Sequence, residues 1–309
     1  MPDLILHHFD ISPFSEKLRL ILGFKRLAWR SVKVPIVMPK PDVVALTGGY
    51  RRTPLLQIGA DIYCDTALAA RVLDAIEPVP TLYPEDQPLA PLFAQWADST
   101  LFWCAAVWAS QPAGAAALFG NDMAAMQAFG ADRGALTEGF RRPTLADAAA
   151  QLRTQVTALD AQLAQRGPYL FGAAPCIADF AAVHSLWMVR CAKQDAVFAP
   201  HAALAAWMER MLAIGHAPST PLDSADAVAI AAAATPAPAI GVAAGQGFEA
   251  GQAAIVCATD YGTDPVRGTL VGLNAEQITL ARDDARAGHV HVHFPRHGFQ
   301  LRKDKSATP

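Results

Sequence analysis

The sequence predicts a chain of three parts: an α/β domain, an all-helical domain and a small all-β domain. Short apolar strands alternate with helical segments over residues 1–80. Segments with the apolar spacing of helices fill residues 90–220, and after residue 240 the pattern changes to short strands between turn residues. Because helices and strands differ in the period of their apolar residues, these patterns separate the parts. We place the domains at 1–80, 90–220 and 241–305, with a helix and a Pro/Ala linker over 221–240.

The composition is that of a folded protein. Of the 309 residues, 52% are apolar and 17% are charged, and the formal net charge is −3. This balance gives no electrostatic reason to expect nucleic acid or a membrane surface as a partner. The start of the chain lacks a basic segment followed by an apolar one, and no uninterrupted apolar run is long enough to span a bilayer. Five scattered cysteines do not suit a disulfide framework, so we expect a cytoplasmic protein with reduced thiols.

The first domain has the element order of a thioredoxin-like fold. The order strand, helix, strand, helix, hairpin, helix follows from its apolar runs and turn residues. The predicted positions are a strand at Leu4–Phe9, a helix from Pro13 to Gly23, a strand at Val32–Val34, a hairpin of Leu55–Ile58 and Ile62–Cys64, and a helix over Thr66–Ile76.

Two chain segments in this domain predict a binding slot. Thr53-Pro54 stands at the start of a strand, where a proline keeps the preceding residue extended and its backbone unpaired by that strand. Asp65-Thr66 stands where a helix begins, and a helix start directs free N–H groups outward. The sequence therefore predicts a slot for an extended, anionic, peptide-like ligand.

Ser12 is the second candidate position. It precedes Pro13 at the start of the first helix, where the helix dipole and free N–H groups stabilise an anion. A thiolate held there would have a lowered pKa and would be a better nucleophile. The matching positions in redox proteins of this fold are cysteines, whereas this chain has Ser12 and Ser15, which excludes disulfide exchange by this motif. A purely structural role for Ser12 as helix cap is the alternative.

These motifs, in this order, resemble those of the glutathione S-transferase family, in its serine type, over about residues 3–215. The resemblance implies that Ser12 donates a hydrogen bond to the glutathione sulfur. It also implies a cis Thr53–Pro54 peptide and pairing of Thr53 with the cysteinyl backbone. Asp65 and Thr66 would hold the γ-glutamyl group, and Arg52 would approach the glycyl carboxylate or else be an exposed surface cation. The family usually has Glu at the position of Asp65 and a small apolar residue at that of Thr53.

The function implied by the resemblance is conjugation of reduced glutathione to an apolar electrophile. Glutathione would then be the co-substrate, no metal is expected, and the family's usual homodimer is expected here as well. Aromatic residues of the second domain either line an apolar pocket facing Ser12 or belong to the core; they are Trp96, Phe102 and Trp103. Phe14 of the first domain is a further candidate for this pocket.

The helical domain contains two recognisable helix starts. Thr144 and Asp147 form a capping pair for a helix that runs to about Arg166. Cys176 and Asp179 occupy the positions where the family has Ser or Thr followed by Asp, before its central helix. Because a thiol is a weak hydrogen-bond acceptor, we expect this cap to be weaker by up to ~1 kcal/mol.

The residues after 240 depart from the family, whose members usually end with helices. Four or five short strands in this part suggest a small SH3-like barrel. The segment Phe294–Phe299, beside Asp260-Tyr261, either binds a partner or docks back on the other domains. The second hypothesis for function rests on this addition: a non-catalytic binding or scaffold protein in which the barrel recruits a protein partner.

Three alternating histidines, His289, His291 and His293, share one face of the predicted strand 289–294. Histidines at this spacing can ligate a metal, but no cysteine or acidic residue stands close in sequence as a further ligand. We therefore expect them to be polar positions on the outer face of an edge strand.

Overall fold

The computed structural model describes residues 2–120 and 122–306. The strands are β1 Ile5–His8, β2 Trp29–Lys33, β3 Leu55–Ile58, β4 Asp61–Cys64, β5 Ser219–Pro221, β6 Gly241–Val242, β7 Ala253–Ala258, β8 Val266–Leu273, β9 Gln277–Asp284, β10 Gly288–Pro295 and β11 Phe299–Lys303. The helices are α1 Pro13–Phe24, α2 Pro41–Thr47, α3 Thr66–Ile76, α4 Ala90–Trp96, α5 Phe102–Ala109, α6 Pro112–Phe119, α7 Met123–Leu136, α8 Leu145–Arg166, α9 Ile177–Cys191, α10 Ala202–Leu212 and α11 Ser224–Ala233. A π-helical stretch, Ala97–Leu101, joins α4 to α5.

The thioredoxin-like first domain is confirmed. Strand β1 lies between β2, to which it is parallel, and β3, to which it is antiparallel, and β4 pairs antiparallel with β3. Helices α1 and α3 pack on the side of the sheet that meets the helical domain, and α2 and α11 pack near its other side. This arrangement places the start of α1, the Thr53–Pro54 peptide and the start of α3 where the domains meet.

The predicted C-terminal β domain is also confirmed, and its sheet is continuous with that of the first domain. The strand order is β11-β7-β8-β9-β10, in which the last of the five strands returns beside the first. Strand β10 then pairs in parallel with β4, with His291 in register with Asp61. Apolar residues on both sides of this junction, such as Ile62 and Val292, belong to one core. The β domain is therefore an extension of the thioredoxin-like sheet.

The structure corrects one expectation for the β domain, the edge position of the histidine strand. It also agrees with one of the two alternatives for segment Phe294–Phe299, docking on the other domains. Strand β10 is an internal strand, because β9 and β4 flank it, and both His291 and His293 are buried. Phe294 and Phe299 are also buried, where they pack against Tyr50 with ring centroids 5.8 and 6.0 Å away. They belong to the core and do not form an exposed surface for a partner.

Helix α9 is the centre of the helical domain. It lies against α1, α4, α5 and α10, and residues such as Phe180 and Leu186 are fully buried. The predicted capping pair at Thr144 is present: its Oγ1 accepts from Asp147 N at 3.2 Å, and α8 ends at Arg166. Among the described residues no single helix is long and apolar enough to cross a membrane. The segments Ala90–Ala109 and Pro112–Phe119 reach that length and hydropathy only when taken together, and the angle between them is 88°.

Candidate functional site

A cavity of about 950 Å³ lies where the three domains meet. The first domain contributes Ser12 and Thr53, the helical domain contributes Phe102 and Trp103, and the β domain contributes Tyr261. The rest of the wall is mainly apolar, with a set of cations made up of Lys40, Arg51, Arg52, Arg133 and Arg142. An apolar chamber with a few polar groups is the usual form of a small-molecule site.

Ser12 caps helix α1 and also lines this cavity. Its Oγ accepts a hydrogen bond from Ser15 N at 3.1 Å, and the residue is only 2% exposed. No acceptor for its hydroxyl proton lies among the described residues, so that proton remains available to a ligand. The two roles considered for Ser12 are therefore compatible, since capping uses the oxygen and ligand binding would use the proton.

Thr53 presents an open backbone to the same cavity. The Thr53–Pro54 peptide is cis, as the resemblance implied, and Pro54 is buried. Within the described part of the chain, no hydrogen bond uses the N–H or C=O of Thr53. A peptide-like ligand can therefore pair with this residue as a strand would.

Lys40 is a site residue that the sequence argument missed. Its Nζ donates to Thr53 Oγ1 at 3.1 Å, and its side chain lines the cavity although the residue is only 4% exposed overall. Burial, with the neighbouring charges of Arg133 and Arg51, lowers the pKa of Lys40 to about 8. The site thus holds a cation that titrates near neutral pH.

Arg52 does not extend into solvent as a free surface cation. It forms an ion pair with Asp260, and its guanidinium lies 3.9 Å from the ring centroid of Tyr261. Its side chain is 13% exposed. Because Asp260 already neutralises this guanidinium, Arg52 is a weaker candidate than Lys40 for the carboxylate of a ligand.

Tyr261 shows that the β domain docks back on the other two domains, one of the two alternatives considered for the neighbouring segment Phe294–Phe299. Its ring lies 5.1 Å from that of Trp103 and 5.8 Å from that of Phe140. Gly262 N donates to Leu136 O at 2.7 Å, which fixes the loop against α7. Burial raises the pKa of Tyr261 to about 12, so the phenol is neutral.

Asp65 and Thr66 lie at the start of α3, as predicted, but neither lines the large cavity. Asp65 Oδ1 accepts from Ala67 N at 2.8 Å and so caps the helix. Burial raises the pKa of this carboxyl group. Thr66 Oγ1 accepts from Lys17 Nζ at 3.2 Å. The structure thus brings Ser12, Thr53 and Arg52 together at the cavity wall, whereas Asp65 and Thr66 lie outside that wall.

Lys17 belongs to a buried charged network that no local pattern indicated. Its Nζ, fully buried, donates to Asp98 Oδ2 at 2.5 Å, and the other oxygen of Asp98 lies 2.9 Å from His184 Nε2. Although burial opposes ionisation, the Lys17 ammonium and His184 hold the pKa of Asp98 below its usual range. The network places a positive group beside Thr66.

The aromatic wall agrees with the prediction at three of four positions. Phe14 packs on Phe102 with ring centroids 4.6 Å apart, and Phe102 on Trp103 at 5.2 Å. Trp96 instead agrees with the other alternative, a place in the core: it does not line the cavity and packs on Phe93 at 5.1 Å. The π-helical stretch between α4 and α5 lies between Trp96 and the two lining residues.

Comparisons with known proteins agree with this architecture. Residues 6–86 match the family model of the glutathione S-transferase N-terminal domain, and residues 121–214 match that of the C-terminal domain. The chain is similar to a GST-like protein of known structure from Pseudomonas syringae, at 42% identity, over 97% of this chain and 99% of that one, with a TM-score of 0.81. That match includes the C-terminal β domain, because it leaves only a few residues of either chain uncovered.

More distant structures share the fold alone. A glutathione S-transferase from Rhodospirillum rubrum F11 is 17% identical over 68% of this chain and 87% of its own, with a TM-score of 0.51. FzlA from C. crescentus is 20% identical over 70% of this chain and 96% of its own, also with a TM-score of 0.51. A comparison with curated protein sequences finds no match. From the two domain matches and the 42% identical structure, the chain belongs to the glutathione S-transferase family.

Proposed function

We propose that this protein conjugates reduced glutathione to an apolar electrophile, with Ser12 stabilising the glutathione thiolate. The observation that carries the proposal is the meeting of two groups in one apolar cavity: the free hydroxyl proton of Ser12 and the open backbone of Thr53. The first suits a sulfur anion and the second suits a peptide. As in the family generally, the proposal includes a cytoplasmic homodimer.

Glutathione would be bound along the strand-like slot of the first domain. Its cysteinyl unit would pair with the backbone of Thr53. The glycyl carboxylate would meet Lys40, whose ammonium already lies 3.1 Å from Thr53 Oγ1. The γ-glutamyl end would lie towards Asp65 and Thr66, at the start of α3.

The chemistry would be attack of a thiolate on the electrophile. The cysteinyl thiol loses its proton to solvent water, and the Ser12 O–H group and the start of α1 stabilise the resulting anion. The sulfur then forms a bond to an electrophilic carbon, and the electron pair of the broken bond departs with the leaving group. Holding both reactants in one cavity replaces a bimolecular encounter by a local one. Phe14, Phe102 and Trp103 would bind the apolar electrophile.

Calorimetric titration with reduced glutathione tests the binding step. We expect a micromolar to low-millimolar dissociation constant, because the ligand is small and mostly polar. Lys40→Met should weaken binding by about tenfold or more, since a hydrogen-bonded charge contributes about 1.5–3 kcal/mol. Lys305→Met, at an exposed position far along the chain, is the matched control and should bind as the wild type does. Absence of binding by the wild-type protein would contradict the proposal.

The pH dependence of binding follows from Lys40. A ligand carboxylate is attracted to the protonated ammonium, which loses its proton as the pH rises through its pKa of about 8. Affinity for S-methylglutathione, which has no thiol to titrate, should therefore fall by about tenfold between pH 7 and pH 9. The Lys40→Met variant retains the ligand's own titrations and should lose most of this dependence. An equally steep profile in the variant would assign the effect to another group.

A binding function without catalysis is the second candidate. It is favoured by the internal contacts of two predicted ligand residues: Arg52 is paired with Asp260, and Thr66 is bonded to Lys17. In that case the cavity would bind an apolar ligand without glutathione. An apolar fluorescent probe that binds the protein, is displaced by other apolar compounds and is not displaced by glutathione would support this function.

A further inference from the structure

Strand β10 brings two histidines against a carboxylate of the first domain. His291 is in register with Asp61 of β4, and His293 lies two residues further along the same face of β10. All three residues are buried. The ligand atoms that they offer, one from each side chain, lie within 4.8 Å of one another. We call these three side chains the junction cluster, because they join the β domain to the thioredoxin-like domain.

The separations within the junction cluster suit a small divalent cation. His293 Nε2 lies 2.8 Å from Asp61 Oδ1, and His291 Nδ1 lies 3.8 Å from the same oxygen. A tetrahedral zinc ion with bonds of about 2.0–2.2 Å holds its ligand atoms roughly 3.4 Å apart. This value lies between the two observed distances, so small rotations of the two rings would place all three atoms around one ion.

His291 has a feature that packing alone does not explain. Its Nδ1 is buried and has no hydrogen-bond partner among the residues that the structure describes, although a carboxylate lies nearby. A buried polar atom without a partner is unfavourable, and most such atoms in proteins are satisfied.

Neighbouring groups hold the other two ligands in the orientation that an ion needs. Asp61 Oδ2 accepts the N–H of Ala237 at 2.8 Å, which leaves Oδ1 facing the histidines. Thr279 Oγ1 lies 3.1 Å from His293 Nδ1. The amide Nε2 of Gln277 lies closer, at 2.9 Å from the same nitrogen, so without an ion Nδ1 accepts this N–H and Nε2–H donates to Asp61 Oδ1. Binding of an ion would displace the Nε2 proton, and Nδ1–H would then donate to Thr279 Oγ1. Metal-binding histidines usually donate their second N–H in this way.

We propose that Asp61, His291 and His293 bind one divalent cation of the zinc type, with water as a fourth ligand, and that the ion fastens the β domain to the thioredoxin-like domain. Two imidazoles and one carboxylate are a donor set that zinc accepts. The acidic partner that the sequence around the histidines lacks is Asp61, which lies 232 residues before His293. The proposal does not depend on the transfer of glutathione.

Titration of chelator-treated protein without a histidine tag tests this site. We expect one equivalent of Co²⁺ per chain, with the visible absorption bands of a tetrahedral site, and its displacement by Zn²⁺. Zn²⁺ should also raise the unfolding temperature, because an ion that binds only the folded state stabilises it. His291→Asn should weaken uptake by at least about 100-fold, since it removes a ligand.

The His291→Asn variant is informative when it is compared with and without Zn²⁺. Asparagine keeps a polar side chain but loses ring packing on His289 and His293, so the metal-free variant should unfold at a somewhat lower temperature, and Zn²⁺ should not raise it. Thr279→Val should weaken binding by roughly tenfold through the loss of support for His293. His297→Asn, an exposed histidine of the same domain, is the matched control and should bind as the wild type does. No uptake by the wild-type protein, or uptake that His291→Asn leaves unchanged, would overturn the proposal.

Discussion

Replacing Ser12 with Ala should raise the pKa of the thiol of bound glutathione by about 1–2 units and lower the conjugation rate at neutral pH by about 10–100-fold. The reason is that a hydrogen bond to a charged acceptor contributes about 1.5–3 kcal/mol, and one pKa unit corresponds to about 1.4 kcal/mol. The dissociation constant for glutathione should change little, because the backbone of Thr53 and the charge of Lys40 remain. Absorbance of the thiolate as a function of pH, with and without protein, measures the shift.

Two further variants separate this role from helix capping. Ser12→Gly also removes the hydroxyl, but glycine is a tolerable cap that costs only a few tenths of a kcal/mol. It should therefore reproduce the change in thiol pKa with little loss of stability. Ser15→Ala is the matched control, because Ser15 Oγ is buried without a hydrogen-bond partner among the described residues and the side chain does not line the cavity. If the thiol pKa of glutathione bound to Ser12→Gly were as low as in the wild-type complex, Ser12 would act as a cap only.

The first domain could be predicted from sequence because its signals are local. Ser12-Pro13 identifies a helix start by itself, and Thr53-Pro54 with Asp65-Thr66 frames a hairpin of only a few residues. Each signal combines a backbone restriction with a nearby polar side chain. For this reason the positions of Ser12, Thr53 and Asp65 at element boundaries were predicted correctly.

The parts that could not be predicted depend on contacts between distant segments. The pairing of β10 with β4 joins residues more than 200 positions apart, and nothing near His293 indicates that Asp61 is its neighbour. The same holds for Lys17, whose partner Asp98 belongs to another domain. The choice between pocket and core at Trp96 stayed open for a different reason. The predicted helix there is apolar nearly all round, so its periodicity does not show which side faces a cavity.

The β domain completes a site that the other two domains leave unfinished. Its Asp260 neutralises Arg52, and its Tyr261 packs on Trp103. A cation that would otherwise face a ligand's carboxylate is thereby removed from that role, and Lys40 remains beside Thr53. In the proposed glutathione complex, the extension would therefore leave Lys40, and not Arg52, to bind the anionic end of the ligand.

Asp179→Ala should be the most destabilising of these substitutions, lowering the free energy of unfolding by about 3–5 kcal/mol. Asp179 is 0% exposed, and its carboxylate accepts from Leu170 N at 2.9 Å, Cys176 N at 3.0 Å and Trp207 Nε1 at 2.8 Å. Alanine would leave all three buried donors without their acceptor, and an unsatisfied buried group costs about 1–3 kcal/mol. The midpoint of urea unfolding, followed by tryptophan fluorescence and by circular dichroism, measures the loss.

Two companion variants show that the effect belongs to the carboxylate and not to the helix start in general. Asp179→Asn keeps one acceptor oxygen for Leu170 and Trp207 but turns an amide towards Cys176 N, so it should lose roughly half as much stability. Cys176→Ser leaves the three acceptor bonds of Asp179 intact and provides a better capping atom, so stability should stay the same or rise by up to ~1 kcal/mol. If Asp179→Ala unfolded at the wild-type midpoint, water would have to satisfy the three donors.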